Sequence, residues 1–165
     1  MDKDLFEYWL GKKKSNDLIK RALTDKSYKK YYQRINSVEF NGPINYELAT
    51  YGDALIKFCY CEILLDNGQK LSVEKAKYEK DKVFVDIIAK HYNLVKYIDF
   101  DEDDENIPVT YEYDKGKGSN RNKYKYIATA VEAMIGAIYK NTSDNNSIIE
   151  LLRKWIELIK EQTED

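Results

Sequence analysis

The sequence predicts an all-α domain, and three observations support that class. Between stretches rich in turn-forming residues, apolar side chains recur at spacings of three and four, which is the pattern of helices with one buried face. Alternation with a period of two is scarce, and the short stretch VTYEY is the best candidate for a strand. Both prolines, Pro43 and Pro108, fall in stretches with the composition of loops. Periodicity and the position of the helix breakers therefore indicate the same class.

The first half of the chain divides into two short helices and a long one. A helix is expected around Leu5–Leu10 and another around Leu18–Leu23, followed by a polar, tyrosine-rich connector, SYKKYYQRINSVEFNGPI. Asn45 is a favourable N-cap for the long helix that comes next. That helix is predicted to continue to Leu65 and to end in a turn at Gly68, a residue that readily adopts a left-handed backbone.

The second half continues in the same way. Ser72 is expected to cap a helix over SVEKAKYEKD, and VFVDIIAKHYNLVKYI gives a further amphipathic segment. Residues 99–122 form a long irregular region, acidic at its start and basic at its end. Two final helices, YKYIATAVEAMIGAIY and SIIELLRKWIELIKEQ, are separated by NTSDNN. Because no repeat or Gly/Ser-rich linker divides the chain, residues 1–165 are expected to form a single domain.

Composition limits the classes of protein and of site. With 165 residues, 43% of them apolar, the chain can bury a core. Its net charge of −2 neither demands nor excludes a nucleic acid partner. Two cysteines, Cys59 and Cys61, and one histidine cannot assemble a plausible zinc cluster, so reduced thiols are expected. Because no signal peptide and no run of about 20 apolar residues is visible, a soluble, cytoplasmic protein without a membrane partner is expected.

Two glycines interrupt predicted helix interiors, and each stands near an acidic residue. Asp53 directly follows Gly52, and Glu132 lies one turn before Gly136. A helical glycine without a role in a turn marks the close approach of another backbone or a ligand, so the two long helices are expected to cross here. The crossing would bring both carboxylates together in an oxygen-rich site suited to Mg²⁺. Half-exposed acids paired with nearby lysines account for the spacing equally well.

Four segments carry a resemblance to a known family. In chain order they are LIKRALTDKSY, NYELATYGDALI, KLSVEKAKYEKDKVFVDIIAKHYNL and IATAVEAMIGAIY. Their order and spacing are those of the motifs of the ribonuclease III catalytic domain. The chain resembles that family over about residues 15–155. The resemblance implies an all-α endonuclease fold that works as a homodimer. It also implies cleavage of double-stranded RNA with Mg²⁺, for which Mn²⁺ can substitute, to leave short 3′ overhangs.

The acidic residues of the family are only partly present. Asp53 and Glu132 match the aspartate after the helical glycine and the glutamate of the EALIGA motif, which implies that they are the catalytic and metal-binding residues. Ala49 and Tyr46 stand where the family has glutamates, and Thr129 stands where it has an aspartate. Thr129 is the candidate for orienting a metal-bound water.

These substitutions leave two interpretations open. Glu47 lies roughly 100° around the helix from Tyr46, so its carboxylate cannot simply replace that of the family's glutamate at position 46. Thr50 replaces an aromatic residue that helps to seal the family's dimer. A degenerate domain that binds structured RNA without cutting it fits this pattern. The second interpretation is a resemblance to the compact Mini-III ribonucleases, which carry a similar alanine and threonine at the positions of Ala49 and Thr129. Those enzymes trim large-subunit ribosomal RNA and lack a double-stranded-RNA-binding domain. The N-terminal LIKRALTDKSY instead resembles the full-length bacterial enzymes.

A basic stretch precedes the helix that carries Glu132. Its glycine-spaced cations and amides are suited to phosphate and 2′-hydroxyl contacts across an RNA minor groove, and a solvated loop is the alternative. Lys75 occupies the basic position of the family's LSxxR motif, where it either contacts phosphate or is a surface lysine. The residues predicted to bind RNA are Lys75, Lys115, Lys117, Asn120, Arg121 and Lys123.

The leading hypothesis from the sequence is a Mg²⁺-dependent endoribonuclease of the ribonuclease III type. It would act as a homodimer on double-stranded RNA in RNA processing, with ribosomal RNA maturation as one candidate process. The alternative is a catalytically inactive, ribonuclease III-like RNA-binding or scaffold protein. A helical protein–protein module that shares only the architecture is a third hypothesis.

Overall fold

A computed structural model of the protein describes residues 2–113 and 123–163. The predicted all-α class is confirmed, since within these two ranges the regular structure is helical and β-type pairing is limited to one bridge between Thr24 and Asp99. The stretch VTYEY, the best strand candidate, forms no strand. None of the described helices combines the length and the apolar character of a membrane span.

The helices follow one another with short connections in most of the chain. They are α1 (Leu5–Leu10), α2 (Asp17–Ala22), α3 (Tyr28–Asn36), α4 (Tyr46–Leu64), α5 (Leu71–Ala76), α6 (Asp81–Val83), α7 (Lys90–Tyr92), α8 (Lys125–Thr142) and α9 (Asn145–Thr163). A π-helical segment, Phe84–Ala89, joins α6 to α7, and a 3₁₀ turn, Leu94–Tyr97, follows α7. The predicted amphipathic segment VFVDIIAKHYNLVKYI is therefore helical but interrupted.

α8 is the central helix of the core. From Tyr126 to Ile138 each of its residues is buried except Glu132, and a helix that is apolar on all sides belongs in a protein interior. α4 makes more extensive contact with α8 than any other described pair of elements does. α9 contributes buried side chains that include Trp155. Glu132 is thus the one charged residue within the buried part of the central helix.

The tyrosine-rich connector was predicted to be irregular, and that prediction is wrong, because it contains α3. Tyr28 and Tyr32 lie one turn apart on this helix, and the ring centroid of each is 5.3 Å from that of Phe40 in an edge-on arrangement. No residue of α3 is buried. The aromatic side of this helix therefore packs on Phe40 at the surface rather than in the core, and the polar composition of the stretch is what favoured a connector.

Two helix starts differ from the prediction in detail. Asn45 does precede α4, but its side chain makes no capping bond and instead donates from Nδ2 to the carbonyl oxygen of Ala22 at 3.2 Å. Ser72 was predicted to cap the following helix, whereas α5 begins at Leu71 with Lys70 at the N-cap position. Ser72 therefore lies inside the first turn of α5.

The ends of the long helices are close to the predicted places. α4 ends at Leu64, and the turn after it contains Gly68 with a φ of 75°, as expected for a left-handed terminator. Only Ser143 and Asp144 separate α8 from α9, so the predicted linker NTSDNN is too long. Asp144 Oδ1 accepts from the backbone N–H of Ser147 at 3.1 Å, which starts α9 earlier than the apolar pattern indicates.

Candidate active site

α4 and α8 cross in backbone contact at Gly52 and Gly136. A Cβ atom placed on Gly52 would lie 1.8 Å from the carbonyl oxygen of Glu132, and one placed on Gly136 would lie 2.6 Å from the carbonyl oxygen of Leu48. Neither position has room for a side chain, which only glycine lacks. The close crossing predicted from the two helical glycines is confirmed.

The crossing brings the carboxyl groups of Asp53 and Glu132 together. Both side chains line the same surface cleft. Burial raises the pKa of Glu132 to about 8, and hydrogen bonding to Asp53 and the negative charge of Asp53 contribute to the same shift. At neutral pH the pair therefore retains a proton unless a cation compensates the second negative charge.

Lys57 is a cation in contact with this acid pair. It lies one turn after Asp53 on α4, and its Nζ donates to Asp53 Oδ2 at 3.0 Å. The side chains of Lys57 and Asp53 are 48% and 37% exposed, so neither is locked in the interior. The hydrogen bond to Asp53 and the charge of its carboxylate raise the pKa of Lys57. The lysine therefore remains a cation throughout the neutral pH range.

A cleft of about 1040 Å³ opens beside the acid pair. Asp53, Thr129 and Glu132 line it, together with residues between positions 25 and 30 and between positions 101 and 107. The lining also includes four lysines: Lys26, Lys30, Lys123 and Lys125. The cleft thus combines carboxylates that can hold a metal ion with cations that can contact phosphate.

Three positions of the cleft lack the carboxylates that the family resemblance predicts. Ala49 and Tyr46 line the cleft without an acidic group. The Thr129 hydroxyl donates to the backbone carbonyl one turn earlier at 2.9 Å, which leaves its oxygen lone pairs available as acceptors. The nearby acid Glu47 pairs with Arg21 at 3.0 Å and is not among the residues that line the cleft.

A second hollow, of about 380 Å³, shares Asp53, Glu132 and Lys125 with the cleft. Lys57 and Asp81 also line it, and neither was predicted as a site residue. Burial raises the pKa of Asp81, while the charge of Lys125 lowers it and that of Asp53 raises it. The four-residue spacing from Asp53 could have indicated Lys57. Asp81 reaches the site through the packing of α6 on α8, which no local pattern shows.

The residues predicted to bind RNA lie in different places. Lys123 is exposed and lines the cleft. Lys75 lies on α5, donates to both carboxylate oxygens of Glu79 at 2.9 and 2.8 Å, and is not among the residues that line the cleft. The predicted residues Lys115, Lys117, Asn120 and Arg121 lie outside the described part of the chain. Lys26 and Lys30 are not among the predicted residues: Lys30 lies in the stretch expected to be a connector, and Lys26 lies just before it, within LIKRALTDKSY.

The acid pair fits a hard divalent cation. Asp53 and Glu132 offer carboxylate oxygens, and Mg²⁺ commonly binds through one or two carboxylates while water and phosphate complete its shell. Within residues 2–113 and 123–163, no three Asp, Glu, His or Cys side chains converge as a metal-binding group. The donor set therefore suits an ion that shares its shell with a substrate rather than an ion enclosed entirely by protein.

Comparisons with known proteins agree with this architecture. The family model described as Ribonuclease III domain matches residues 47–143, which include both Asp53 and Glu132. Two solved structures of the nuclease domain of ribonuclease III from Campylobacter jejuni are each 24% identical to the chain. One has a TM-score of 0.63 with 98% of both chains covered, and its description concerns structural flexibility in a region involved in dimer formation. The other has a TM-score of 0.61 with 98% of this chain and 95% of that chain covered. No curated protein matches the chain significantly.

Proposed function

This chain belongs to the ribonuclease III domain family, and from that membership we propose that it is a Mg²⁺-dependent endoribonuclease that cleaves double-stranded RNA. The observation that carries the proposal is the acid pair. Asp53 and Glu132 meet across a backbone crossing that only glycine permits. Burial and then the neighbouring Asp53 raise the pKa of Glu132, and such a perturbed acid pair beside a cleft is typical of a functional site.

The residues of the chain can be given distinct roles in phosphodiester hydrolysis. Mg²⁺ held by Asp53 and Glu132 would activate a water and neutralise negative charge on the phosphodiester. Glu132 would have to give up its proton to bind the ion, since a pKa of about 8 keeps it largely protonated at neutral pH. Thr129 lines the cleft and orients the attacking water through its free lone pairs. The attacking water would lose a proton as its oxygen bonds to phosphorus, one ester P–O bond would break, and the leaving oxygen would take up a proton, so that the net change is the addition of one water.

The lysines of the cleft support a nucleic acid substrate. Lys26 and Lys30 precede α4 in the sequence, whereas Lys123 lies just before α8 and Lys125 is its first residue. Cations from two distant segments therefore line one cleft. Contacts of this kind hold the phosphate backbone in register without reading the base sequence. A structured RNA with two backbones to contact fits such a lining.

An exposed apolar stripe supports a homodimer. Tyr51 and Phe58 on α4 are 39% and 50% exposed, and Leu65, directly after this helix, is 58% exposed. Their seven-residue spacing places them along one side of the helix. Large apolar side chains aligned at the surface mark a protein–protein contact. Because α4 also carries Asp53, two copies joined along this stripe would hold two acid pairs in one assembly.

The missing carboxylates favour a second candidate function. Ala49, Tyr46 and Thr129 stand where the family has acids, and an RNA-binding or scaffold protein that does not cut would use the same cleft without the chemistry. The similar alanine and threonine of the Mini-III ribonucleases support activity instead. By analogy with those enzymes we propose ribosomal RNA as the substrate and RNA processing in the cytoplasm as the role.

Incubation of duplex RNA with Mg²⁺ distinguishes the two functions. The wild type should cleave, and Asp53→Asn and Glu132→Gln should each reduce the rate by roughly 100-fold or more. Glu157→Gln is the control, since Glu157 is 72% exposed in an ion pair on α9 and should leave the rate unchanged. Duplex binding without cleavage by pure wild type would favour the scaffold, and cleavage that survives both site substitutions would remove these residues from the chemistry.

A further inference from the structure

Lys57 has a position that the proposed roles do not yet use. Its Nζ is 3.0 Å from Asp53 Oδ2, and it lines the second hollow together with Glu132. The negative charge of the Asp53 carboxylate acts on its ammonium group. Its side chain is 48% exposed, and a lysine carries its charge on a flexible four-carbon stem. The ammonium can therefore change partners without movement of the backbone.

The charges at the site explain why a lysine matters there. Asp53 and Glu132 together can balance one divalent cation. Asp81 and Glu79 line the same hollow, but within residues 2–113 and 123–163 no three acids form a metal-binding group. A phosphodiester brings a further negative charge, which spreads over its oxygens during cleavage. In sites with two metal ions, the second ion stabilises that charge. Here the group held against Asp53 is an ammonium.

We propose that Lys57 is the second cation of this active site. Mg²⁺ and Lys57 compete for the carboxylate of Asp53, so binding of the metal ion displaces the ammonium from Oδ2. The displaced ammonium then donates a hydrogen bond to an oxygen of the phosphate that is being cleaved, and it transfers no proton. The second hollow and the cleft share Asp53 and Glu132, so the new partner lies within the reach of the side chain. This inference rests on the proposed function and adds a residue to it.

Two measurements on Lys57→Met test the proposal, because the loss of Lys57 should raise the affinity for Mg²⁺ and lower the rate of RNA cleavage. Calorimetric titration with Mg²⁺ should show binding tightened by roughly 3- to 10-fold, since a competing positive charge has been removed. Single-turnover cleavage of duplex RNA at saturating Mg²⁺ should slow by roughly 10- to 100-fold, since a cation that stabilises the transition state has been lost. Lys57→Arg keeps the charge and should restore most of the rate.

Lys160→Met is the matched control, since Lys160 forms an intrahelical ion pair with Glu157 on α9 at 4.0 Å, and it should alter neither quantity. An ordinary surface ion pair at Lys57 would also alter neither, and that result overturns the proposal. Weaker Mg²⁺ binding in Lys57→Met overturns it as well. If the wild type cleaves no RNA, the proposed function and the phosphate contact of Lys57 fail together, whereas the titration still decides whether Lys57 competes with Mg²⁺.

Discussion

Gly52 lies in direct backbone contact with Glu132: a Cβ atom on Gly52 would stand 1.8 Å from the Glu132 carbonyl oxygen. Asp53 is the next residue, so the contact that fixes the separation of α4 and α8 also fixes the separation of the two carboxyl groups. The core packing and the candidate active site are therefore one structural feature. A change that separates the helices must also separate the acids.

Gly52→Ala should destabilise the protein by about 3 kcal/mol or more. The added methyl group would overlap the backbone of Glu132, which cannot move away by a rotamer change as a side chain could. Urea unfolding followed by circular dichroism measures the effect. Gly11→Ala is the control, since its Cβ would meet the carbonyl oxygen of Tyr8 at an ordinary 3.4 Å, and it should change stability by less than about 1 kcal/mol. A Gly52→Ala protein as stable as the wild type would refute the close crossing.

The metal-free protein should lose stability as the pH rises through the pKa of Glu132. This pKa, about 8 in the folded state, lies above the ordinary value of 4.5, so the folded protein holds the proton more tightly than the unfolded chain does. The contribution of Glu132 is complete below about pH 4.5 and is lost as the pH approaches and passes 8.

Comparison with Glu132→Gln isolates this effect from the other titrating groups. With EDTA present, the free energy of unfolding of the wild type relative to the variant should fall steadily between about pH 5 and 9. Asp144→Asn, a change at an exposed acid that caps α9, serves as the control and should not reproduce that slope. A difference between wild type and Glu132→Gln that does not depend on pH would show that folding does not raise the pKa of Glu132.

The crossing was predictable because its signal is local. Gly52 and Gly136 are isolated in otherwise favourable helices, and a glycine there has few explanations other than close approach. The meeting of Asp53 and Glu132 followed from it. α3 was missed for a different reason. Its apolar side chains do recur at helical spacing, at Tyr28, Tyr31, Tyr32 and Ile35, but none of its residues is buried and the stretch has the polar composition of a connector.

Other parts of the site depend on tertiary packing that no short pattern encodes. Asp81 enters from α6, and Lys26 and Lys30 enter from the segment around the start of α3. Lys75 shows the opposite case. It fits a family motif, yet its ammonium is bound by both oxygens of Glu79. A motif identifies the residue type at a position, and only the fold shows which partner it has.

Phe58→Asp should weaken the proposed homodimer by roughly 2 kcal/mol or more, because a charge would be buried in the centre of the apolar stripe. Sedimentation velocity over a range of protein concentrations measures the monomer–dimer equilibrium. Val109→Asp is the matched control, since Val109 is 61% exposed and lies outside α4, and it should leave the equilibrium unchanged. A wild type that stays monomeric at high concentration would contradict the assignment of the stripe, as would a Phe58→Asp variant that dimerises normally.

Ala49→Glu tests whether the missing carboxylate limits the site. Ala49 lies one turn before Asp53, is 6% exposed and lines the cleft, so a glutamate there would add a third carboxylate to the acid pair. Mg²⁺ affinity rises with the number of charged ligands, and calorimetry should show binding tightened by roughly 10-fold. Ala54→Glu, at an exposed position of α4 next to Asp53, is the control and should have a much smaller effect.

The rate of RNA cleavage in the Ala49→Glu protein then shows what the alanine does in an active or in an inactive wild type. If the wild type is active, the added ligand should lower the Mg²⁺ concentration that half-saturates cleavage while leaving the maximal rate similar, because Asp53, Glu132 and the lysines already provide the chemistry. If the wild type only binds RNA, the appearance of cleavage in the variant would identify Ala49 as the substitution that removed the activity. Mg²⁺ binding that is unchanged by Ala49→Glu would mean that the metal ion does not lie between Asp53 and Glu132.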